Sequence, residues 1–343
     1  MENSKFIDTY AIAYPAAPIF ANDLPWDRYQ QCRENWAFSR KALLKLNTEL
    51  NASFGPNDCF SVIVAGSYGR MDAHGKSDLD FMIVHNGYLT EEESKVEVVR
   101  ECAGKLGIET PNPEGAFSRP IRLADMVESI GSKDDDLNST AQRLLILMEG
   151  RAIFNPGFFK HIMLTLINRY MKYVEEEPEK EALVLLNDII RYFRSICINV
   201  EFNFWKDDSK WGIRNVKLGH SRILIYSGLL FLILTSSMLR RDKLSFLRDN
   251  IFLSPIEKVY RAYQMNNDTN FKRVIGAYDT FLHRLMQDNV RDELRVLDYR
   301  MRFTSRNYAE LKTNSDFLQA ELTRFVLDNR THWTSQIFEY LIF

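Results

Sequence analysis

The sequence predicts an α+β chain: a small mixed-sheet domain followed by a helical-bundle domain. Three observations predict it. Two short runs rich in β-branched and aromatic residues, CFSVIVAG and LDFMIVHN, lie close together between positions 59 and 86. From about position 135 onward, nearly every segment carries apolar residues at helical spacing. The chain has 343 residues, 45% hydrophobic and 26% charged, so it is long enough for two domains and composed like a folded protein. The expected boundaries are an N-terminal helical segment over 1–51, the sheet domain over 52–134 and the helical domain over 135–343.

Each element has a local signal. Residues 26–51 carry helical spacing, with Pro25 near the start, where a missing backbone N–H costs nothing. FGPND ends that helix. Strands are expected over 59–66 and 79–86. TEEESKVEVVRECAGKLG reads as a helix with Thr90 as its cap and three glutamates favoured by the positive end of the helix dipole. IETPNPEGAFSRPIR reads as loop or short strand. Helices are then expected over 137–152, 157–174, 179–205 and 211–240, with shorter ones to the end. SPIEKVYRAY opens one of these, with Ser254 as cap, Pro255 at the first helical position and Glu257 at the third. No internal repeat or low-complexity tract appears.

Composition excludes some functions. A net charge of −2 makes no global case for a nucleic-acid or membrane partner, although a local basic patch is compatible with it. Cys32, Cys59, Cys102 and Cys197 lie far apart without ligand spacing, which points to reduced thiols in a cytoplasmic setting. The N-terminus lacks the pattern of a signal peptide. The apolar run at 223–239 falls short of the about 20 residues a bilayer span needs and is broken by Ser, Thr and Gly, so a helix buried in the bundle is expected.

The chemistry concentrates in AGSYGRMDAHGKSDLDFMIV, residues 65–84. Asp78 and Asp80 open the second strand. Side chains at i and i+2 of a strand face the same way, so both carboxylates sit on one face, ~6–7 Å apart along the chain. Two such groups repel unless cations intervene. A pair of Mg²⁺ ions, about 3.5–4 Å apart in enzymes of phosphoryl chemistry, would relieve that repulsion. Magnesium binds through one or two carboxylates plus substrate phosphates. Gly66 ends the first strand and lets backbone approach closely. Ser67 begins a short helix whose N–H groups, with its hydroxyl, suit phosphate, and Arg70 one turn on adds a charged contact. His74 and Lys76, between the motif halves, are either substrate contacts or exposed loop residues.

This segment resembles the nucleotidyltransferases of the DNA polymerase β superfamily, whose signature is Gly-Ser followed by Asp-x-Asp. It is most similar to the bacterial branch of PII uridylyltransferases and glutamine synthetase adenylyltransferases. DLNSTAQRLLILMEGRAIF, residues 136–154, resembles the helix that follows the catalytic sheet there, and the resemblance covers about 55–155. It implies that Asp78 and Asp80 bind two Mg²⁺ ions and that Gly66, Ser67 and Arg70 hold an NTP. Many superfamily members add a third carboxylate from a neighbouring strand. Asp125 is the first candidate metal ligand, with Glu114 and Glu128 behind it, although Asp125 could equally cap the helix that follows. The His-Asp phosphohydrolase motif and regulatory repeats of the PII enzymes do not follow, so the resemblance does not carry their acceptor.

The helical half offers further cations. Asn187, Arg191 and Arg194 share one face at i, i+4 and i+7, and Arg214, Lys217 and Ser221 share another at i, i+3 and i+7. Either face could present charge to a triphosphate, or pair with acids such as Asp188 and Glu201. His161, His220 and His283 lack spacing partners and read as structural. The expected function is Mg²⁺-dependent transfer of NMP from an NTP, ATP favoured, with release of pyrophosphate. The branch resemblance puts a protein side chain first as acceptor. A tRNA end, a small molecule and a second nucleotide are alternatives, as is an inactive nucleotide-sensing module. No membrane partner is expected.

Overall fold

The computed structural model describes residues 13–56, 59–90, 92–111, 119–133, 135–205, 210–239 and 241–342. The chain is a mixed α and β protein, mainly helical, with one small four-stranded mixed sheet. It divides into two compact units. The first comprises described residues within Met1–Ile19, Asn35–Lys172 and Ile251–Ser254, and the second those within Phe20–Glu34, Tyr173–Asn250 and Pro255–Phe343.

The elements of the sheet unit are α1 (Gln30–Phe54, from Asn35 onward), β1 (Phe60–Val64), α2 (Gly66–Arg70), β2 (Phe81–His85), α3 (Glu92–Lys105), β3 (Ile121–Arg122), α4 (Leu123–Glu128), α5 (Leu137–Glu149), β4 (Arg151–Phe154) and α6 (Pro156–Tyr170). The strand order is β3-β2-β1-β4. β1 runs antiparallel to β2, with Phe60 opposite His85 and Val64 opposite Phe81. β1 also runs antiparallel to β4, with Val64 opposite Arg151 and an irregularity between Val62 and Ile63. β2 and β3 are parallel. Every residue of β1, β2 and β4 is buried, so these largely apolar strands are core on both faces. Phe54, Phe60 and Phe154 meet at ring separations of 5.1 Å, within the range of favourable aromatic pairs.

Arg143 on α5 ties the unit together from inside. It is fully buried, and its guanidinium donates to both Asp135 carboxylate oxygens at 2.9 Å, to Tyr170 Oη at 2.9 Å and to Ser129 Oγ at 2.9 Å. A buried charge with that many partners is satisfied rather than stranded.

Two departures from the expected boundaries bear on the sheet unit. The helix expected over 137–152 ends at Glu149, because Gly150 adopts extended backbone and RAIF continues as β4. A four-residue strand with three apolar residues, directly after an apolar helix, cannot be separated from it by periodicity. The boundary expected at 134/135 therefore falls inside the sheet unit, whose outer strand β4 and helices α5 and α6 lie beyond it.

The helical unit continues with α7 (Lys172–Glu176, from Tyr173), α8 (Leu183–Trp205), α9 (Trp211–Lys217), a π-helical turn (Leu218–Arg222), α10 (Ile223–Ser236), α11 (Lys243–Asn250), α12 (Pro255–Met265), α13 (Phe271–Met286), α14 (Asp288–Val296), a 3₁₀ turn (Tyr299–Thr304), α15 (Arg306–Asn329) and α16 (Ser335–Ile342). α10 is the central rod and packs chiefly against α12. Gly228 makes that crossing close: a Cβ there would lie 2.8 Å from Pro255 O. The continuous run Trp211–Leu239 has a mean hydropathy of 1.8 and is long and apolar enough to cross a membrane, but 72% of its most apolar window is buried within the protein. It is a core helix, buried as expected.

Candidate active site at the head of the sheet

The end of β1 and the start of β2, the two inner strands, meet at one end of the sheet, and both halves of the Gly-Ser and Asp-x-Asp motif converge there. The regular strand begins at Phe81, two residues later than the 79–86 expectation, yet the chain is already extended before it. Ala65 N–H donates to Asp80 O at 2.9 Å and Leu79 N–H donates to Glu109 O at 2.7 Å. Leu79 is fully buried, Asp78 is exposed and Asp80 is half-buried. The alternation therefore holds, and the two carboxylates share the outward face.

Gly66 packs its backbone directly on that face. Its φ is +63°, and a Cβ on it would lie 2.5 Å from Asp80 Oδ2 and 3.4 Å from Asp80 Cγ. Only a residue without a side chain permits both the left-handed backbone and the contact. Ser67 comes next, half-buried, and its hydroxyl has no protein hydrogen-bond partner among the described residues. Tyr68 anchors α2 in the core; burial, and then the Asp78 charge, push its phenol up to about 12.

Sequence reasoning did not single out Glu149, which organises the turn. It is the last residue of α5 and is buried. Gly66 N–H donates to its Oε1 at 3.1 Å, and Arg70 Nη1 donates to its Oε2 at 2.8 Å. Arg70 also forks onto Asp72, with Nε to Oδ2 at 2.9 Å and Nη2 to Oδ1 at 3.1 Å. The three side chains are only 4–15% exposed. The Arg70 guanidinium is thus committed to two carboxylates that hold the loop, a role different from the phosphate contact the spacing suggested. The loop is fixed to α1 as well, where Asn35 Nδ2 donates to Asp72 O at 3.0 Å and Ala73 N–H donates to Ser39 Oγ at 3.0 Å. His74 accepts from Lys76 N–H through Nδ1 at 3.1 Å, closing a tight turn with Ser77.

The structure does not bring Asp125 to the aspartate pair. In the parallel register His85 stands opposite Arg122, so β3 delivers its following residues to the far end of β2. Asp80 and His85 are separated by roughly 16 Å of extended chain. Asp125, 63% exposed, instead accepts from Arg122 Nε at 2.9 Å and Nη2 at 2.6 Å. Glu128 is exposed at the end of the same helix. Glu114 lies outside the described residues.

The cations expected from the second half all belong to the helical unit. Arg191 is 41% exposed and 3.8 Å from buried Asp188 Oδ1. Arg194 is exposed on the same helix, and Lys217 is exposed in the last turn of α9. Ser221 is buried, its hydroxyl donating to Lys217 O at 3.4 Å. The π-helical turn at Leu218–Arg222 explains why Lys217 and Ser221 do not share an exposure: it winds more residues per turn and rotates the next residues away from their regular helical positions. His220 in that turn is fully buried, as its structural reading requires.

Among the described residues, no group of three or more His, Cys, Asp and Glu side chains gathers in metal-ligand arrangement. A divalent ion at this end of the sheet would therefore rest on Asp78 and Asp80 and on oxygens supplied by a substrate and water. That donor set, all hard oxygen and two carboxylates, fits magnesium better than a metal needing a full protein cage. No known protein family matches this chain, and no curated protein matches it.

Proposed function

We propose that this protein is a Mg²⁺-dependent nucleotidyltransferase of the DNA polymerase β type, with its catalytic residues on the sheet unit. The observation that carries the reading is the contact between Gly66 and Asp80. The Gly-Ser turn and the Asp-x-Asp strand, a dozen or so positions apart in sequence, abut so closely that a methyl group would not fit between them. A free serine hydroxyl and an outward pair of carboxylates then share one end of the sheet. Magnesium held by Asp78 and Asp80 would supply neutralisation of the phosphate charge and a more acidic acceptor hydroxyl. Ser67 would donate to a phosphate oxygen, and the Glu149–Arg70–Asp72 network would keep Gly66 and Ser67 in place while it does so. NTP is the substrate, ATP favoured, and pyrophosphate leaves. The resemblance supports a protein side chain as acceptor, and the scattered cysteines, without ligand spacing, support a cytoplasmic setting.

The test is incubation of the purified chain with each α-³²P-labelled NTP, Mg²⁺ and host lysate. Label retained on protein, and lost with Asp80→Ala, is the expected result. Label on RNA alone would move the acceptor to tRNA or another RNA. Nucleotide binding with neither label nor pyrophosphate would leave a nucleotide sensor instead.

A further inference from the structure

The 3₁₀ turn at Tyr299–Thr304 carries a surface feature that nucleotidyl transfer does not explain. Phe303 is 84% exposed and Met301 55% exposed, both on the same short turn of the helical unit. The Arg302 guanidinium lies 3.6 Å from the Tyr299 ring centroid and 4.1 Å from the Phe303 centroid. Its Nη1 donates to Tyr299 O at 2.7 Å, which ties it to the turn beside the rings. Trp211 packs edge-on to Tyr299 at 5.2 Å and braces the stack from below. The result is a layered Tyr–Arg–Phe platform whose outermost ring faces solvent.

Arginine outnumbers acid along this segment, with Glu293 beside it accepting from Ser305 Oγ and Asn307 Nδ2. Over 295–306 the chain carries Arg295, Arg300, Arg302 and Arg306 against the single acid Asp298, in a protein whose net charge is −2. Asp298 is occupied in accepting the Arg300 backbone N–H at 2.7 Å. Arg306 is engaged by Glu310 at 2.8 Å, and Arg295 stands 3.9 Å from Asp292. The exposed Arg300 side chain makes no ion pair or hydrogen bond among the described residues. An exposed ring backed by a stacked guanidinium, with further arginines beside it, suits a ligand of flat bases joined by phosphates.

We propose that this platform is a docking surface for single-stranded nucleic acid: a base stacks on Phe303, and Arg300, Arg302 and Arg295 meet the flanking phosphates. The site is sequence-tolerant, because every base has a π face and nothing in the platform reads base edges. Double-stranded nucleic acid is disfavoured, because its bases are not available to stack.

The experiment measures binding of the full chain to a fluorescein-labelled twelve-nucleotide oligouridylate by anisotropy at low salt. The same-length abasic strand and a duplex are run alongside. The oligouridylate should bind, and the abasic strand and duplex should bind about tenfold more weakly. The slope of log affinity against log salt should be about −2, as three phosphate contacts on a single strand require. Phe303→Ala should weaken binding about tenfold, and Phe303→Ala with Arg300→Ala further, with unchanged melting temperatures because both side chains are exposed. Asp80→Ala should bind the strand like the unaltered protein, which separates this inference from the fate of the transfer reading. Wild-type affinity in Phe303→Ala, equal affinity for the abasic strand, or binding to phosphatidylserine vesicles with none to the oligonucleotide would each overturn it.

Discussion

Two sets of polar groups, one in each unit, face different surroundings. In the sheet unit, Glu149, Arg70 and Asp72 form a buried network around the Gly66 turn, while Asp78 and the Ser67 hydroxyl beside it remain open to solvent. In the helical unit two buried groups turn to protein instead. Lys243 and Glu181 pair at 2.8 Å with side chains 3% and 1% exposed, and His220 sits between Val216 O and Asn314 with its ring stacked on Phe281 at 4.2 Å. The difference separates polar groups whose partners are all protein, which set stability, from polar groups left facing water, which are available for chemistry. Replacing members of each set should give opposite phenotypes.

The largest effect belongs to the closed pair. Glu181→Ala leaves Lys243 buried with only the Lys180 carbonyl at 2.8 Å as partner. Breaking a buried ion pair from one side costs about 3–5 kcal/mol. Chemical denaturation should show a loss of that size, and a loss under about 1 kcal/mol would remove this pair from the closed set. Replacing both partners by apolar residues of similar volume should restore most of the stability.

Asp78→Ala and Asp80→Ala should do the reverse. Under the proposed function, nucleotidyl transfer falls at least about a thousandfold, near 4 kcal/mol of transition-state stabilisation. The fold should hold, and melting temperature without metal should stay level or rise, since removing one carboxylate relieves repulsion. Near-normal turnover in either variant would end the metal assignment. Unfolding would place the pair with the closed groups.

His220 gives an effect with a pH signature. Burial, reinforced by the Lys312 charge, outweighs the Val216 hydrogen bond and pushes its imidazole down to about 4 from an ordinary 6.5. The neutral ring donates from Nδ1 to Val216 O at 2.8 Å and accepts at Nε2 from the Asn314 amide at 3.1 Å. A second ring proton would point at another donor. The unfolded chain therefore binds the proton more readily than the folded one between these values. Stability is full above pH 6.5 and falls as pH drops towards about 4, by roughly 3 kcal/mol in all. His220→Leu should flatten that part of the stability–pH curve. An unchanged slope would assign the acid sensitivity elsewhere.

These contrasts also mark what could be read from residue order alone. Strands β1 and β2, the outward pairing of Asp78 and Asp80, and the glycine between them were legible, because each depends on alternation or on neighbours close in sequence. Glu149 was not. It reaches Gly66 across 83 positions, and its only local mark is a single acid closing an apolar helix. β4 was hidden for a related reason: Arg151 and the three apolar residues behind it look like the last turn of the helix before them. Asp125 was misdirected by topology, since an acid beside a short strand is near the pair only if the strand runs the right way. The π-helical turn broke the Lys217–Ser221 spacing by changing the number of residues per turn, which no count along a regular helix anticipates.

The smallest expected effect is also the one that tests whether the open groups are confined to the sheet unit. Ser67→Ala removes one hydroxyl and leaves the backbone of α2 intact, so NTP affinity should fall about tenfold, near 1.4 kcal/mol, the worth of one hydrogen bond to a charged group. Lys217 is the corresponding probe in the helical unit. It is exposed in the last turn of α9, where a cation is also favoured simply by the negative end of the helix dipole. Two accounts of it therefore compete, and they differ in what the variant changes. If Lys217 serves the nucleotide, Lys217→Ala lowers NTP affinity or turnover by about tenfold, with the fold unaltered, and Lys217→Arg recovers only part, because a planar fork does not reproduce a point charge. If Lys217 serves only its helix, Lys217→Ala shifts stability within about ±0.5 kcal/mol and leaves kcat and KM as they were. Steady-state kinetics on Ser67→Ala, Lys217→Ala and the double variant decide between them. A loss of about tenfold in NTP affinity in Lys217→Ala alone gives Lys217 its own part in nucleotide recognition, whereas a loss confined to Ser67→Ala restricts that recognition to the turn between Gly66 and Asp80.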